Sequence, residues 1–178
     1  PLCARTWLLG AALTALSCCP APAAAAPTPA DVAHNFTLER LSFGSCNRQY
    51  QPQPLWRRVL SHRPQVFLWT GDAVYIKSTA TADLAAAYQV QRKHADYAPL
   101  LRAPVVVGGV YDDHDYGVND GGARDYDPLR QSLFLDFLGT PRDSPRRQRR
   151  GLYWSEEYGV APQKTKVILL DTRSMRDP

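Results

Sequence analysis

Short apolar runs alternate with amphipathic segments along most of the chain. The runs LERLSFGSC, PQVFLWTGD and APVVVGGV are typical of strands, and PQVFLWTGD is apolar enough to be buried on both faces of a sheet. Three amphipathic segments are predicted to be helices: PQPLWRRVLSHR, TADLAAAYQVQRK and DPLRQSLFLDFLG. Two later strands, GLYWSEEYG and KTKVILLDTR, are predicted to form a hairpin.

Helical periodicity predicts which side chains of the second helix face the core. Its apolar face carries Leu84, Ala87, Tyr88 and Gln91. The third helix has Pro128 at its first position and Gly139 just past its end, where these two residues are most favourable. The resulting order, β-α-β-α-β-α-β-β, predicts an α/β fold of packed layers with a largely parallel first sheet.

The first part of the chain differs from the rest in composition. A basic residue precedes the apolar run TWLLGAALTALSC, and APAAAA then offers small residues for cleavage between about Ala23 and Ala25. This order is typical of a secretory signal, so we expect the protein to be secreted or extracytoplasmic. The apolar run is shorter than the ~20 residues of a membrane span, and no transmembrane segment is expected. The predicted divisions are a signal-like segment at 1–25, a linker at 26–37 and one domain at 38–178.

The composition is that of a globular domain, with 178 residues of which 44% are hydrophobic. The net charge of +4 comes mainly from PRDSPRRQRR, which holds five arginines and is predicted to be a solvated loop. Because the remainder is close to neutral, no nucleic-acid binding is expected. Only Cys46 lies outside the signal-like segment, so no internal disulfide is expected. The oligomeric state is left open.

Polar side chains follow three of the predicted strands. Ser45, Cys46 and Asn47 follow the first strand. Gly71 and Asp72 end the second, with Tyr75 close behind, and the third is followed by Asp112, Asp113 and His114. Ligand sites in α/β sheets lie beyond the carboxyl ends of the strands, so these groups are predicted to converge. Asp171 and Arg173 follow a later strand and are expected to reach the same region.

These residue types favour a metal site. A thiolate, carboxylates, a phenolate and an imidazole form an anionic, hard-leaning ligand set. A cation would offset the repulsion among the acids, and coordination would hold the thiol deprotonated. His114 is suited to donating a proton to a leaving oxygen or to holding a phosphate oxygen. Two metal ions about 4 Å apart would activate a water molecule and clamp a phosphoryl group.

Simpler interpretations of single residues remain open. Asp112 and Asp113 also fit a polar turn, and Asp72 also fits a helix cap. A lone histidine is more often structural than catalytic. Asp115, Asn119 and the glycines around them are expected to shape the loop.

The motifs SFGSCNRQ, FLWTGDAVY, VYDDHDYGVNDGG, FLDFLG and VILLDTRSMRD, in this order, resemble the PhoD-like alkaline phosphatases. That family belongs to the calcineurin-like metallophosphoesterase superfamily, and the resemblance covers about Leu41 to Pro178. It implies a layered α/β sandwich of the metallophosphoesterase type. The chain is expected to hold the N-terminal part of that domain and to be incomplete at its C-terminus.

The resemblance also implies roles for individual residues. Cys46 is similar to an iron ligand, Asp72 to the aspartate that bridges the metals, and Tyr75 to a metal-bound tyrosine. Asp113 is implied to bind the second metal, and His114 to face the phosphate. Iron and calcium are the implied cofactors, in a dinuclear or trinuclear centre.

Three further residues, Asn47, Asp112 and Arg173, are implied to support the centre or to contact the substrate. Two departures from the family pattern are Tyr111, where tryptophan is more usual, and Ser174-Met175, where aromatic or histidine residues are more usual.

The implied activity is metal-dependent hydrolysis of small phosphate esters, monoesters or diesters, by a metal-activated water. The superfamily completes its site with Asp and His residues from its C-terminal half. The alternative is therefore a truncated, non-catalytic module that binds a cation or a phosphorylated partner.

Overall fold

The computed structural model describes residues 32–177, in which two small sheets and five α-helices form a mixed α/β structure. The strands are β1 (Val32–His34), β2 (Leu41–Gly44), β3 (Val66–Thr70), β4 (Val106–Val110), β5 (Trp154–Tyr158) and β6 (Thr165–Leu169). The helices are α1 (Leu55–Ser61), α2 (Thr81–Lys93), α3 (Ala98–Arg102), α4 (Asp113–Tyr116) and α5 (Pro128–Leu138). The predicted α/β class is confirmed. None of the helices in this part of the chain could span a membrane.

Strands β2, β3 and β4 form a parallel sheet, as the sequence predicts, and β3 lies in its centre. The side chains of β3 from Val66 to Trp69 are buried, because neighbouring elements cover both faces of the central strand. Since all three strands run in one direction, their carboxyl ends lie at the same edge. The loops that follow β2, β3 and β4 therefore meet there.

Helices α2 and α5 pack in the layer beside this sheet. The predicted face of α2 is confirmed, since Leu84, Ala87, Tyr88 and Gln91 are all buried. At α5, the Asp127 side chain accepts a hydrogen bond from the Leu129 N–H at 2.8 Å, and Gly139 adopts the left-handed conformation with φ 74°. The prediction for Pro128 and Gly139 is thus confirmed. The aromatic rings of Tyr88 and Phe137 stack between the two helices, with centroids 4.8 Å apart.

The second sheet has the order β1-β5-β6. Strands β5 and β6 are antiparallel, which confirms the predicted hairpin, and β1 adds to β5 in parallel. β1 lies inside the segment 26–37 for which a linker was predicted. His34 and Tyr158 stack with ring centroids 4.8 Å apart, so a tertiary contact orders the end of this segment. The signal-like segment 1–25 lies outside the described residues.

The arginine-rich loop is not simply solvated, which corrects the expectation for PRDSPRRQRR. Arg146 is only 4% exposed, and its guanidinium donates to the carbonyl of Gly109 at 2.8 Å. The same guanidinium lies over the Trp154 ring at 4.4 Å. Arg147 donates to Asp136 at 2.8 Å. Because Gly109 belongs to β4 and Trp154 to β5, the Arg146 side chain links the two sheets.

Glu156 is a buried carboxyl group in the second sheet. The Tyr158 hydroxyl donates to it, and the His34 Nε2 lies 3.5 Å away. Burial raises the pKa of Glu156, against the hydrogen bond from Tyr158 and the nearby charges of His34 and Arg146. The folded state therefore holds this proton more tightly than the unfolded chain does.

We expect Glu156→Gln to gain stability relative to wild type as the pH rises. The contribution of protonated Glu156 is fully present below the unfolded pKa and is lost as the pH rises through the higher, folded pKa. Glutamine has no such dependence. Urea unfolding of both proteins at several pH values above 4 measures the difference. The exposed Glu39→Gln is the control, and a pH-independent difference for Glu156→Gln contradicts the prediction.

Candidate metal centre

Asp72, Asp113 and His114 form a cluster at the carboxyl edge of the parallel sheet. Each offers one potential ligand atom, and these atoms all lie within 4.8 Å of one another. Asp72 lies in the loop after β3, while Asp113 and His114 begin α4, just after β4. The parallel arrangement of the two strands thus brings together groups that are about forty residues apart in sequence.

Asp72 is 6% exposed and is held from two sides. The Tyr75 hydroxyl donates to its Oδ2 at 2.8 Å, and the backbone N–H of His114 donates to Oδ1 at 3.3 Å. Burial raises the pKa of Asp72, against these two hydrogen bonds. Asp72 also adopts the left-handed conformation, with φ 52°. An acid that is both buried and close to another carboxylate is a group that a bound cation would stabilise.

Gly71 allows the loops after β3 and β4 to approach each other closely. A Cβ atom at this position would lie 2.4 Å from the Cβ of Asp112, and the φ of 113° is unfavourable for other residues. The absence of a side chain at Gly71 therefore lets Asp72 come close to Asp113.

The Asp113 carboxylate is oriented by backbone N–H groups. His114 donates to Oδ1 at 3.0 Å, and Asp120 donates to Oδ2 at 2.8 Å. Although burial acts to raise the pKa of Asp113, the Asp120 N–H and the charges of His114 and Arg173 outweigh it and lower the pKa. Asp113 is thus held in its ionised form, which is the form that binds cations.

Tyr75 connects the cluster with Cys46. The phenol donates to Asp72, and the Cys46 thiol lies near enough to raise the pKa of the phenol. Burial, followed by these two neighbours, raises the pKa of Tyr75. Cys46 is exposed, has φ 57°, and does not belong to the 4.8 Å group among the described residues. The thiol therefore lies at the rim of the cluster, beyond the phenol.

The His114 ring lies against the Tyr75 ring, with centroids 4.1 Å apart and an interplanar angle of 38°. Within residues 32–177 the imidazole forms no hydrogen bond, so both of its nitrogens remain available to a ligand. Contact with Tyr75 restrains the ring without using either nitrogen.

The three residues implied to support the centre differ in their placement. Asn47 donates to the carbonyl of Ala73 at 3.0 Å and to Gln91 Oε1 at 2.8 Å, so its amide fixes the loop after β3. Arg173 forms an ion pair with Asp112 and a second, at 3.2 Å, with Asp120. Arg173 therefore ties the end of the chain to both ends of the loop that contains Asp113.

Asp171 fixes its own turn and joins that turn to the backbone at Leu152. Its carboxylate accepts the N–H groups of Arg173 and Ser174, each at 2.8 Å, and that of Leu152 at 2.6 Å. The expectation that Asp171 reaches the metal site is thus replaced by a structural role. Asp171 fixes the backbone that presents Arg173.

Asp115 supports the loops of the site from the protein interior, as expected for a residue that shapes the loop. It is fully buried and accepts hydrogen bonds from the backbone N–H groups of Ala73 at 3.0 Å and Val74 at 3.2 Å. Burial raises the pKa of Asp115 to about 8, even though these N–H groups lower it. Asp115 thereby binds the loop after β3 to helix α4.

Two supporting residues were missed from the sequence. The Gln49 side chain accepts from the Tyr75 N–H at 2.9 Å and donates to its carbonyl at 2.7 Å, which fixes the backbone of Tyr75. Asp120 orients Asp113 and Arg173. Asp120 has a left-handed φ of 55°, which fits the turn-forming run VNDGG. This run is the sequence feature from which a turn at Asp120 could have been predicted.

The donor set fits a metal ion. Two carboxylates, an imidazole and a phenol are oxygen and nitrogen ligands, and Cys46 adds a softer sulfur at the rim. A bound cation would stabilise the ionised form of Asp72 most, because this carboxylate is buried and lies close to Asp113. Comparisons with protein-family models, curated proteins and solved structures gave no match.

Proposed function

We propose that this chain carries the metal centre of a phosphoric ester hydrolase of the PhoD-like type, in a sandwich of the metallophosphoesterase type. The convergence of Asp72, Asp113 and His114 within 4.8 Å is the observation that supports the proposal most strongly. The three residues come from two separate sequence motifs, Asp72 from FLWTGDAVY and Asp113 and His114 from VYDDHDYGVNDGG. A polar turn or a helix cap would explain each of these three residues taken alone. Neither explains why their side chains lie within 4.8 Å of one another.

Cys46, Asp72, Tyr75 and Asp113 would hold the metals, for which the resemblance suggests iron and calcium. When bound, such ions lower the pKa of a coordinated water and polarise a phosphoryl oxygen. Asp72 lies between Tyr75 and Asp113, which suits a shared ligand.

His114 is proposed to act on the phosphate ester directly. Its ring is restrained against Tyr75, and both of its nitrogens are available to hold a phosphate oxygen or to protonate the leaving oxygen. Asp112, Asp120 and Arg173 keep the loop in place through their ion pairs. Asn47 does the same for the loop after β3.

The test is the hydrolysis of 4-nitrophenyl phosphate and bis(4-nitrophenyl) phosphate by protein loaded with iron and calcium. We expect His114→Ala to lower turnover by about 10²–10⁴-fold, the usual contribution of general acid–base catalysis. Metal content, measured by mass spectrometry, should fall much less.

The exposed His62→Ala is the matched control and should retain wild-type turnover. Unchanged turnover in His114→Ala contradicts the proposed role of this residue. Metal binding by the wild-type protein without turnover of either ester supports the alternative, a non-catalytic cation-binding module.

A further inference from the structure

A cavity of about 700 Å³ opens beside the candidate metal centre. Its walls are the loop after β2, the loop after β3 and helix α2. Tyr75 belongs to both places, since it lines this cavity and its hydroxyl is bonded to Asp72. A molecule in the cavity would therefore lie next to a group bound at the centre.

The cavity carries two cationic side chains, Arg48 and Lys77, both of them exposed. Neither forms an ion pair within residues 32–177. The Arg48 guanidinium lies 5.3 Å from the centroid of the Tyr75 ring, on the side of the cavity that adjoins the centre. Asp83, the acidic residue among the lining side chains, accepts a hydrogen bond from the Ser78 hydroxyl. The lining thus carries two cationic side chains against one acidic side chain, so its net charge is positive.

The same cavity has an aromatic and aliphatic surface. Tyr50 is 70% exposed and lines the cavity, and Ile76 lies on the opposite loop. Cavities of roughly 300–1,000 Å³ with mostly apolar walls and a few charged groups are typical of small-molecule sites. The combination favours a flat, ring-containing ligand that bears a negative charge.

We propose that this cavity binds the organic part of the substrate, and that the preferred substrates are phosphate esters whose aromatic group carries a second anion. This inference rests on the proposed function, because it places the phosphate of the same molecule at the metal centre. Arg48 and Lys77 bind the second anion, while Tyr50 and Ile76 pack against the ring. The cavity would then set substrate preference without taking part in the chemical step.

The test compares two esters that differ only in this anion, phenyl phosphate and 4-carboxyphenyl phosphate. Initial rates of hydrolysis by the metal-loaded protein give the KM of each ester, which serves as its apparent affinity. We expect the carboxylated ester to bind about tenfold more tightly, as one charge-assisted hydrogen bond allows. In the double variant Arg48→Gln/Lys77→Gln this preference should disappear, while the metal content, measured by mass spectrometry, stays at the wild-type value and shows that the centre is intact.

The double variant Arg58→Gln/Lys93→Gln removes the same charge from exposed positions outside the cavity and should keep the tenfold preference. Equal affinity of the wild-type protein for both esters, or a preference that survives in Arg48→Gln/Lys77→Gln, overturns the inference and leaves the proposed function intact. If the metal-loaded protein hydrolyses neither ester, the proposed function fails and the inference fails with it.

Discussion

Replacing Asp72 with asparagine is expected to lower phosphate ester hydrolysis by more than about 100-fold and to reduce metal content. The amide is nearly the same size as the carboxylate but is neutral and a weaker ligand. Loss of a residue that only supports a metal ligand costs about 10–100-fold in affinity or activity, so loss of a shared ligand should cost more. Metal content and 4-nitrophenyl phosphate turnover are measured on the same samples.

The control is Asp143→Asn, which makes the same chemical change at an exposed position in the arginine-rich loop. It should leave metal content and turnover at wild-type values. Asp72→Asn with wild-type metal content and turnover would show that the buried carboxylate is structural.

The second large effect is expected for Asp115→Ala, which should lower the free energy of unfolding by about 2–4 kcal/mol. The substitution leaves the Ala73 and Val74 N–H groups buried without their acceptor. Each unsatisfied buried donor costs about 1–3 kcal/mol, and the sum is reduced if water enters the space. Urea unfolding at pH 4 measures the change, because the contribution of protonated Asp115 is present near its unfolded pKa and is lost as the pH rises towards about 8.

Asp115→Asn separates the hydrogen bonds from the volume of the side chain. The amide has nearly the same shape and keeps one acceptor oxygen, so the loss should be about half that of Asp115→Ala. If Asp115→Ala unfolds within about 0.5 kcal/mol of wild type, a typical surface effect, Asp115 does not hold the loop after β3.

Periodicity was sufficient to predict the parts of the fold that depend on local pattern. The buried face of α2 follows from the helical spacing of Leu84, Ala87, Tyr88 and Gln91. The parallel sheet follows from apolar runs separated by helices. The ends of α5 follow from Pro128 and Gly139.

The features that were missed depend on contacts between distant residues. β1 lies in a segment that reads as a linker, and it is a strand because β5 offers an edge for pairing. Arg146 looks like any arginine of a solvated loop until a carbonyl of β4 and the Trp154 ring surround it. Sequence pattern does not contain this information, because β5 lies far from β1 in the chain and the Gly109 carbonyl lies 37 residues from Arg146.

In the candidate site, too, some features were predictable from the sequence and others depend on tertiary contacts. The meeting of Asp72 with Asp113 and His114 was predictable, since strand ends of a parallel sheet share one edge. The position of Cys46 at the rim was not, because it depends on the left-handed backbone of the loop after β2. The use of Asn47 as a loop support depends on its contact with Gln91 in α2.

The metal content of the purified protein tests the proposed centre most directly. The protein is loaded with iron and calcium, passed through gel filtration, and analysed by mass spectrometry alongside the double variant Asp72→Asn/Asp113→Asn. We predict that the wild-type protein retains metal and that the double variant, still folded by circular dichroism, retains much less. Wild-type protein that retains no metal, or a double variant that retains as much as wild type, would contradict a metal centre at these residues.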